Sequence, residues 1–266
     1  MPMHEALRTV LGGCRDPLVA VSGGVDSLTL ASFAHRTLGG VRMAHAVSPA
    51  VPQAATARVR ALAGDQGWHL SVVEAGEFSD ARYLANPVNR CFYCKTNLYE
   101  RLAGLGGGGT VLSGANLDDL GDYRPGLAAA ADHGVRHPFI EAGMDKAAVR
   151  ALARALGLGE VAELPASPCL SSRVETGLPI TPASLALVER VEGWLAAEHG
   201  AAVVRCRVRP GGLEIELGET DLARIGGDAL AAALRRAHPA AAGMDIRVSP
   251  YRRGSAFVGD KRVVRP

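Results

Sequence analysis

Four short apolar, β-branched runs, separated by stretches of helical periodicity, set the strongest limit on how this chain folds. "PLVAVSG" (17–23) reads as a buried strand, and "DSLTLASFAHRTLG" (26–39) as a helix closed by Gly39 and Gly40. "VRMAHAVS" (41–48) is a second strand, followed by a helix through "TARVRALAGDQG" (56–67). "HLSVVEA" (69–75) is a third strand, and "TVLSGAN" (110–116) a fourth after the turn "GLGGGG". Such alternation predicts an α/β fold, a doubly wound parallel sheet covered on both faces, with ligands bound beyond the carboxyl ends of the strands. "DKAAVRALARALGLG" (145–159) adds an amphipathic helix entered from Asp145.

The rhythm changes after "ELPASPCLSSRVETGLPITP" (163–182), a Pro- and Ser-rich segment that reads as an ordered loop leading out of the first domain. Beyond it the pattern predicts a helix over 182–199, strands near 202–208 and 213–217, an Ala-rich helix near 219–236 and a strand at 244–249. This is a smaller C-terminal α+β domain, and the expected division is 1–175 and 182–266. With 266 residues, 48% hydrophobic and 21% charged, the chain reads as soluble and globular. A formal charge of +2 makes nucleic acid an unexpected partner. No run approaches the roughly 18 apolar residues of a membrane span, and "MPMHEALRTVLGGCRDP" lacks the pattern of a secretory signal. Five cysteines are an odd count and too sparse for a disulfide scaffold, which fits a reducing cytoplasm. There the CxxC pair Cys91 and Cys94, in "NRCFYCKTNLYE" (89–100), favours metal or redox chemistry over a structural bridge.

The loop after the first strand, "SGGVDS" (22–27), is built to meet an anion. Gly23 and Gly24 permit a tight turn and close approach, Ser22 and Ser27 add hydroxyl donors, and the helix N-terminus supplies unpaired amides. It is neither a Walker A loop nor GxGxxG, since the P-loop lysine is absent. Set after a strand, SGGxDS resembles the signature of the PP-loop ATP pyrophosphatases, which have an adenine nucleotide alpha hydrolase-like fold. These enzymes bind ATP and release pyrophosphate while adenylating a substrate. The resemblance implies that Ser22, Gly23, Gly24 and Ser27 contact the pyrophosphate end of ATP and that Asp26 helps hold Mg²⁺. A carboxylate beside phosphate oxygens suits that ion. "SGANLDDLGDYRPG" (113–126) follows the fourth strand, so Gly114, Asp118, Asp119, Asp122 and Arg124 read as a site wall rather than a solvated acidic turn. Ser48, after the second strand, resembles an adenine-side contact.

Three segments narrow the family. "NRCFYCK" (89–95), "GANLDDLGDYRPGL" (114–127) and "PASPCLSSR" (165–173), in this order, resemble the LarE family of ATP-dependent sulfur transferases. Those enzymes make the nickel-pincer nucleotide cofactor used by lactate racemase. The similarity runs from about residue 15 to the end and weakens in the C-terminal domain. There "RVR" (207–209), Glu216 and "YRRGS" (251–255) resemble a substrate-phosphate and tail region. The resemblance implies adenylation of a carboxylate of pyridinium-3,5-dicarboxylate mononucleotide, then sulfur transfer to give a thiocarboxylate. Cys169 falls at the family's sulfur-handling position, and Arg173 reads as a phosphate or carboxylate contact beside it. Members with only that cysteine sacrifice its sulfur. Those that also carry the CxxC pair are similar to iron–sulfur-dependent transferases. On that likeness Cys91, Cys94 and Cys169 ligate a [4Fe–4S] cluster with one iron left open for a sulfide from an external source. A homo-hexamer assembled through the C-terminal domains is also implied.

The residues themselves leave other readings open. Thiolates hold iron–sulfur clusters, and CxxC spacing lets two neighbours reach adjacent irons. Three cysteines and a histidine also make a structural zinc set. Cys169 can instead give up its own sulfur, with the pair in support. A nucleotide-binding module with structural zinc would bind ATP and leave it intact. Transfer RNA thiolation is opposed by the near-neutral charge and the lack of a basic, aromatic-interleaved patch. Arg207 and Arg209 alternate on one strand face, where paired guanidiniums suit a nucleotide phosphate or solvent. Glu216 suits a metal or substrate contact, or a rim position. Cys14 and Cys206 read as small core residues.

Overall fold

The computed structural model describes residues 3–121 and 125–259, which fall into two compact units. The first takes in the chain up to Asp80 and Arg90–Ser167; the second takes in Ala81–Asn89 and the chain from Pro168 onward.

In the first unit, β1 (Leu18–Ala20), β2 (Arg42–Val47), β3 (His69–Glu74) and β4 (Val111–Leu112) form a parallel sheet in the order β3-β2-β1-β4. The chain builds outward from β1 to β3, then returns to the other side of β1. Strand order therefore reverses between β1 and β4, where parallel α/β sheets open a crevice at their carboxyl ends. The apolar runs explain the burial: Val19, Met43 and Leu112 are fully enclosed. They share a core with Leu28, Leu30 and Phe33 of the helix Val25–Leu38 and with Val149 and Leu152 of the helix Lys146–Ala155. Asp145 caps the latter, its carboxylate accepting from Ala148 N at 2.8 Å. The fourth strand is much shorter than its apolar run, and Arg136 continues the sheet by bridging to Leu112. The segment Arg90–Gly106, whose sequence shows no clear period at its start, is a helix whose Tyr99 and Leu102 pack with Leu18 and Val111.

In the second unit, β5 (Val204–Arg209) pairs antiparallel with β6 (Gly212–Leu217), and β6 pairs parallel with β7 (Asp245–Pro250). The helix Pro182–His199 buries Leu185, Val188, Val191 and Leu195 and packs against β5. The single helix expected near 219–236 is two, Glu219–Ile225 and Asp228–Ala237. Gly227 interrupts it at φ 103°, a backbone angle that L side chains rarely adopt.

The division falls at Ser167, earlier than the expected 175, because long-range hydrogen bonds tie the "PCLSSR" loop to β5. Val174 bridges to Val208, and Glu175 N donates to Val208 O at 3.0 Å. Ala81–Asn89 joins the same unit. Asn86 is fully buried at φ 55°, and its Nδ2 donates to Glu175 O (2.8 Å) and Leu178 O (2.9 Å). Among the described residues, no helix is long and apolar enough to cross a membrane.

Candidate functional site

The SGGVDS turn leaves β1 at the point where strand order reverses. Gly23 holds φ 86°, and a Cβ there would stand 2.7 Å from Ala55 O, so two independent constraints demand glycine. Ser27 Oγ accepts from Ser22 N at 3.0 Å and donates to Gly24 O at 3.1 Å, while the Ser22 hydroxyl lies 3.0 Å from it. Gly24 is the N-cap and has no side chain, so the cap position itself offers the first amides of the helix no acceptor. That is the usual anatomy of an anion site. Arg58, from the helix Gln53–Gln66, donates Nε to Gly23 O at 3.2 Å. Burial lowers its pKa, but a guanidinium stays charged, so the loop has a cation behind it.

Gly114 presses on the same loop. Its Cβ would lie 2.9 Å from Asp26 C and from Ser27 N, both backbone atoms. Asp26 Oδ1 accepts from Asn116 Nδ2 at 3.1 Å, and Oδ2 from Lys146 Nζ at 2.5 Å. The acidic turn is itself ordered. Asp119 Oδ2 accepts from Asn116 N (3.0 Å), and Asp118 Oδ2 from Lys146 N (3.3 Å). Asp122 and Arg124 lie outside the described residues. Ser48, at the carboxyl end of β2, accepts from Ala50 N at 3.2 Å.

Two polar residues of this unit carry no local sequence signal. Lys146 gave no sequence signal beyond its place after a helix cap, because its partner lies 120 positions away. His137 Nδ1 lies 2.8 Å from Ser113 Oγ, at the end of β4. Burial lowers the His137 pKa, with Glu141 and Asp119 pulling the other way, so a neutral imidazole stands there.

Cys91 and Cys94 stand three residues apart at the start of the helix Arg90–Gly106, on one face and half-buried. Thiols so spaced suit a thiophilic metal or cluster, and the Asp26 carboxylate suits Mg²⁺ held jointly with phosphate. Among the described residues, no three His, Cys, Asp or Glu side chains converge as a metal-holding group. Cys206 is fully enclosed and its thiol pKa is pushed well up by burial. Cys14 donates to Val10 O at 3.3 Å and accepts from Arg136 at 3.1 Å. Both behave as packing residues.

In the second unit Cys169 is exposed and heads a one-turn helix, Leu170–Arg173, whose other residues are buried. Arg173 turns inward. Its Nε and Nη2 donate to Glu192 at 3.0 and 2.9 Å, and its Nη1 to Pro168 O (2.7 Å) and Cys169 O (3.2 Å). Arg207 and Arg209 share a face of β5, as their alternation required, and both meet carboxylates of β6. Arg207 Nε donates to Glu216 Oε2 at 2.8 Å and its Nη1 to Ser172 O at 3.2 Å. Arg209 is paired with Glu214 and Glu175. Glu216 is fully buried, which rules out the rim position; among the described residues its Oε1 accepts no hydrogen bond, and it lies 4.0 Å from Arg209 Nη2. Cys169, Arg173, Arg207 and Glu216 therefore belong to one connected polar network, whereas the phosphate-loop residues form another in the first unit.

No protein-family model matches the chain. It is 39% identical over 217 residues to an uncharacterized protein of Synechocystis sp., with 80% of each chain covered. It is 34% identical over 213 residues to pyridinium-3,5-bisthiocarboxylic acid mononucleotide synthase of Lactiplantibacillus plantarum, covering 78% of this chain and 75% of that one. An uncharacterized protein of Methanocaldococcus jannaschii is 26% identical over 211 residues, with 78% and 79% covered.

Proposed function

The chain belongs to the LarE family, and on that premise we propose that it is an ATP-dependent sulfur transferase of nickel-pincer nucleotide biosynthesis. Its substrate is a pyridinium-3,5-dicarboxylate mononucleotide. A carboxylate oxygen attacks the α-phosphorus of ATP and expels pyrophosphate; sulfur then replaces AMP to give the thiocarboxylate. Adenylation comes first because a bare carboxylate is a poor electrophile and AMP is a good leaving group.

The SGGVDS loop carries this reading. A glycine that nothing else can replace, two paired hydroxyls and side-chain-free helix amides meet at the sheet's switch point. On this proposal Ser22, Gly23, Gly24 and Ser27 grip the pyrophosphate, and fixed dipoles meet its charge as it leaves. Gly114 and Asn116 hold Asp26 in place, Asp119 orders the neighbouring turn, and Ser48 lies on the adenine side. Asp26 would hold Mg²⁺, which supplies charge neutralisation on the phosphates. By the family resemblance Cys91, Cys94 and Cys169 would hold a [4Fe–4S] cluster, which would supply an exchangeable sulfur; thiolate is the donor type such a cluster takes. On this proposal Arg209, the more exposed of the two β5 arginines, serves the nucleotide's phosphate end in the second unit, with the buried Arg207–Glu216 pair behind it, and the active form is a homo-oligomer. A sacrificial Cys169 is a second reading, favoured by the exposure of that thiol.

The test is to mix ATP, Mg²⁺ and the dicarboxylate mononucleotide with anaerobically reconstituted protein and to follow pyrophosphate and thiocarboxylate. Substrate-dependent pyrophosphate release with thiocarboxylate supports the transferase. ATP bound but recovered intact would reduce the protein to a binding module. Iron and acid-labile sulfide lost from each of Cys91→Ala, Cys94→Ala and Cys169→Ala supports the cluster. A Cys169 that loses the elements of hydrogen sulfide after one turnover supports sacrifice instead.

A further inference from the structure

The loop that presents Cys169 is held at unusual cost for so short a segment. The carbonyls of Pro168 and Cys169 belong to the two peptide planes that flank the Cys169 Cα. Both accept from the same Arg173 Nη1, at 2.7 and 3.2 Å. Fixing both planes fixes the backbone angles of Cys169, φ −56° and ψ 154°, and leaves the thiol only its χ1 rotation. Arg173 can do this because its opposite edge is anchored. Nε and Nη2 form a two-pronged pair with Glu192 at 3.0 and 2.9 Å, with the arginine side chain 4% and the glutamate 14% exposed. Glu192 Oε1 also accepts from Cys206 N at 2.9 Å, which ties the pair to β5. A planar guanidinium with donors on two edges is the one side chain that spans such a gap; lysine offers a single point.

We infer that Glu192 is the positioning residue for Cys169, acting through Arg173 as a rigid splint. The inference rests on Cys169 as the sulfur-handling residue. It makes Arg173 a holder of the cysteine backbone, with no donor left to spend on substrate along the edge that faces Glu192. Buried charges of this kind are weak sources of net stability, so the role read for this pair is geometry rather than folding strength.

The experiment compares Glu192→Gln with wild type by hydrogen exchange, thermal melting and transfer kinetics. The amides of Ser172 and Val174, which donate to Cys169 O and Ser171 O within the turn, are the reporters. Losing the charge-assisted pair should speed their exchange roughly 10- to 100-fold, with the rest of the unit unchanged. The kcat of sulfur transfer should fall over the same range, while the KM values for ATP and nucleotide hold. Arg173→Lys should behave alike despite keeping the charge. Should either variant fail to fold, the paired Arg173→Met/Glu192→Leu change fills the space with apolar side chains and still removes the splint. Unchanged exchange at Ser172 and Val174, or a rise spread evenly over the unit, would overturn the inference. A wild-type protein that transfers no sulfur would sink the proposed function, and the exchange measurement would still judge the splint by itself.

Discussion

Lys146 Nζ lies 2.5 Å from Asp26 Oδ2, which joins the start of one helix to the phosphate loop 120 residues earlier. Both side chains are about one-third exposed, 32% and 27%, so each can reach a ligand as well as the other. An ammonium at this place neutralises Asp26 when the loop is empty and can turn to phosphate when the loop is filled. Lys146→Met should therefore lower kcat/KM for ATP roughly 10- to 100-fold, the worth of one charge-assisted hydrogen bond. The fold should be unaffected, since the pair is only partly buried. Steady-state pyrophosphate release with varied ATP checks it, and an unaltered kcat/KM would remove Lys146 from the site.

The contact between Gly114 and the loop gives a second, steric test. A Cβ at 114 would stand 2.9 Å from Asp26 C and Ser27 N, and backbone atoms cannot rotate away. Overpacking of this kind costs about 1–3 kcal/mol. Gly114→Ala should displace the loop and weaken ATP binding in calorimetry, with a smaller fall in melting temperature. Gly64→Ala is the control: its Cβ meets nothing within 4 Å in a helix, and alanine there should stabilise by up to about 1 kcal/mol.

How much of this could be read from the residues alone depends on the range of the interactions involved. The α/β alternation and the SGGVDS turn are local patterns, so the parallel sheet and the loop at the end of β1 follow from them. Alternation on β5 correctly put Arg207 and Arg209 on one face. Their partners Glu214 and Glu216 could not be named, because the pairing depends on the register of β5 against β6. Lys146 and the segment Ala81–Asn89 were invisible for the same reason: each is defined by hydrogen bonds to residues about 90 to 120 positions away. The helix at Arg90–Gly106 was missed because the polar and cysteine-bearing stretch at its start masks the periodicity of Tyr99 and Leu102.

His45 predicts an acid limb in stability. The ring is fully buried, with Nδ1 2.7 Å from Val21 O and Nε2 2.9 Å from Thr56 Oγ1. Neutral imidazole suits both contacts, donating from Nδ1 and accepting at Nε2. Burial lowers the folded-state pKa below the ordinary value of about 6.5. The unfolded chain then takes up a proton that the folded one refuses. Stability is fully present above about pH 6.5 and falls as pH drops from there toward the lowered folded value. His137 is shifted the same way and adds to the slope. His45→Gln should cost stability at neutral pH and flatten the limb in part; urea midpoints across the range measure both. A limb of unchanged steepness would mean that His45 is not its source.

Tyr83 Oη and Ser171 Oγ lie 2.5 Å apart in a fully buried setting, joining Ala81–Asn89 to the loop that carries Cys169. Removing one hydroxyl leaves the other enclosed without this partner, whereas removing both leaves nothing to desolvate. Tyr83→Phe should thus cost about 1–3 kcal/mol in urea unfolding. Adding Ser171→Ala should cost less than the sum of the two single changes, a coupling of about 0.5–3 kcal/mol in a double-mutant cycle. The cycle also separates stability from presentation of the cysteine. Iodoacetamide should label the exposed Cys169 ahead of the enclosed Cys206, and peptide masses separate it from the half-buried Cys14, Cys91 and Cys94. If the hydroxyl pair fixes the loop, Tyr83→Phe changes the labelling rate of Cys169 under conditions where the protein remains folded. Additive stabilities together with an unaltered labelling rate would show that the two hydroxyls are neighbours without being coupled.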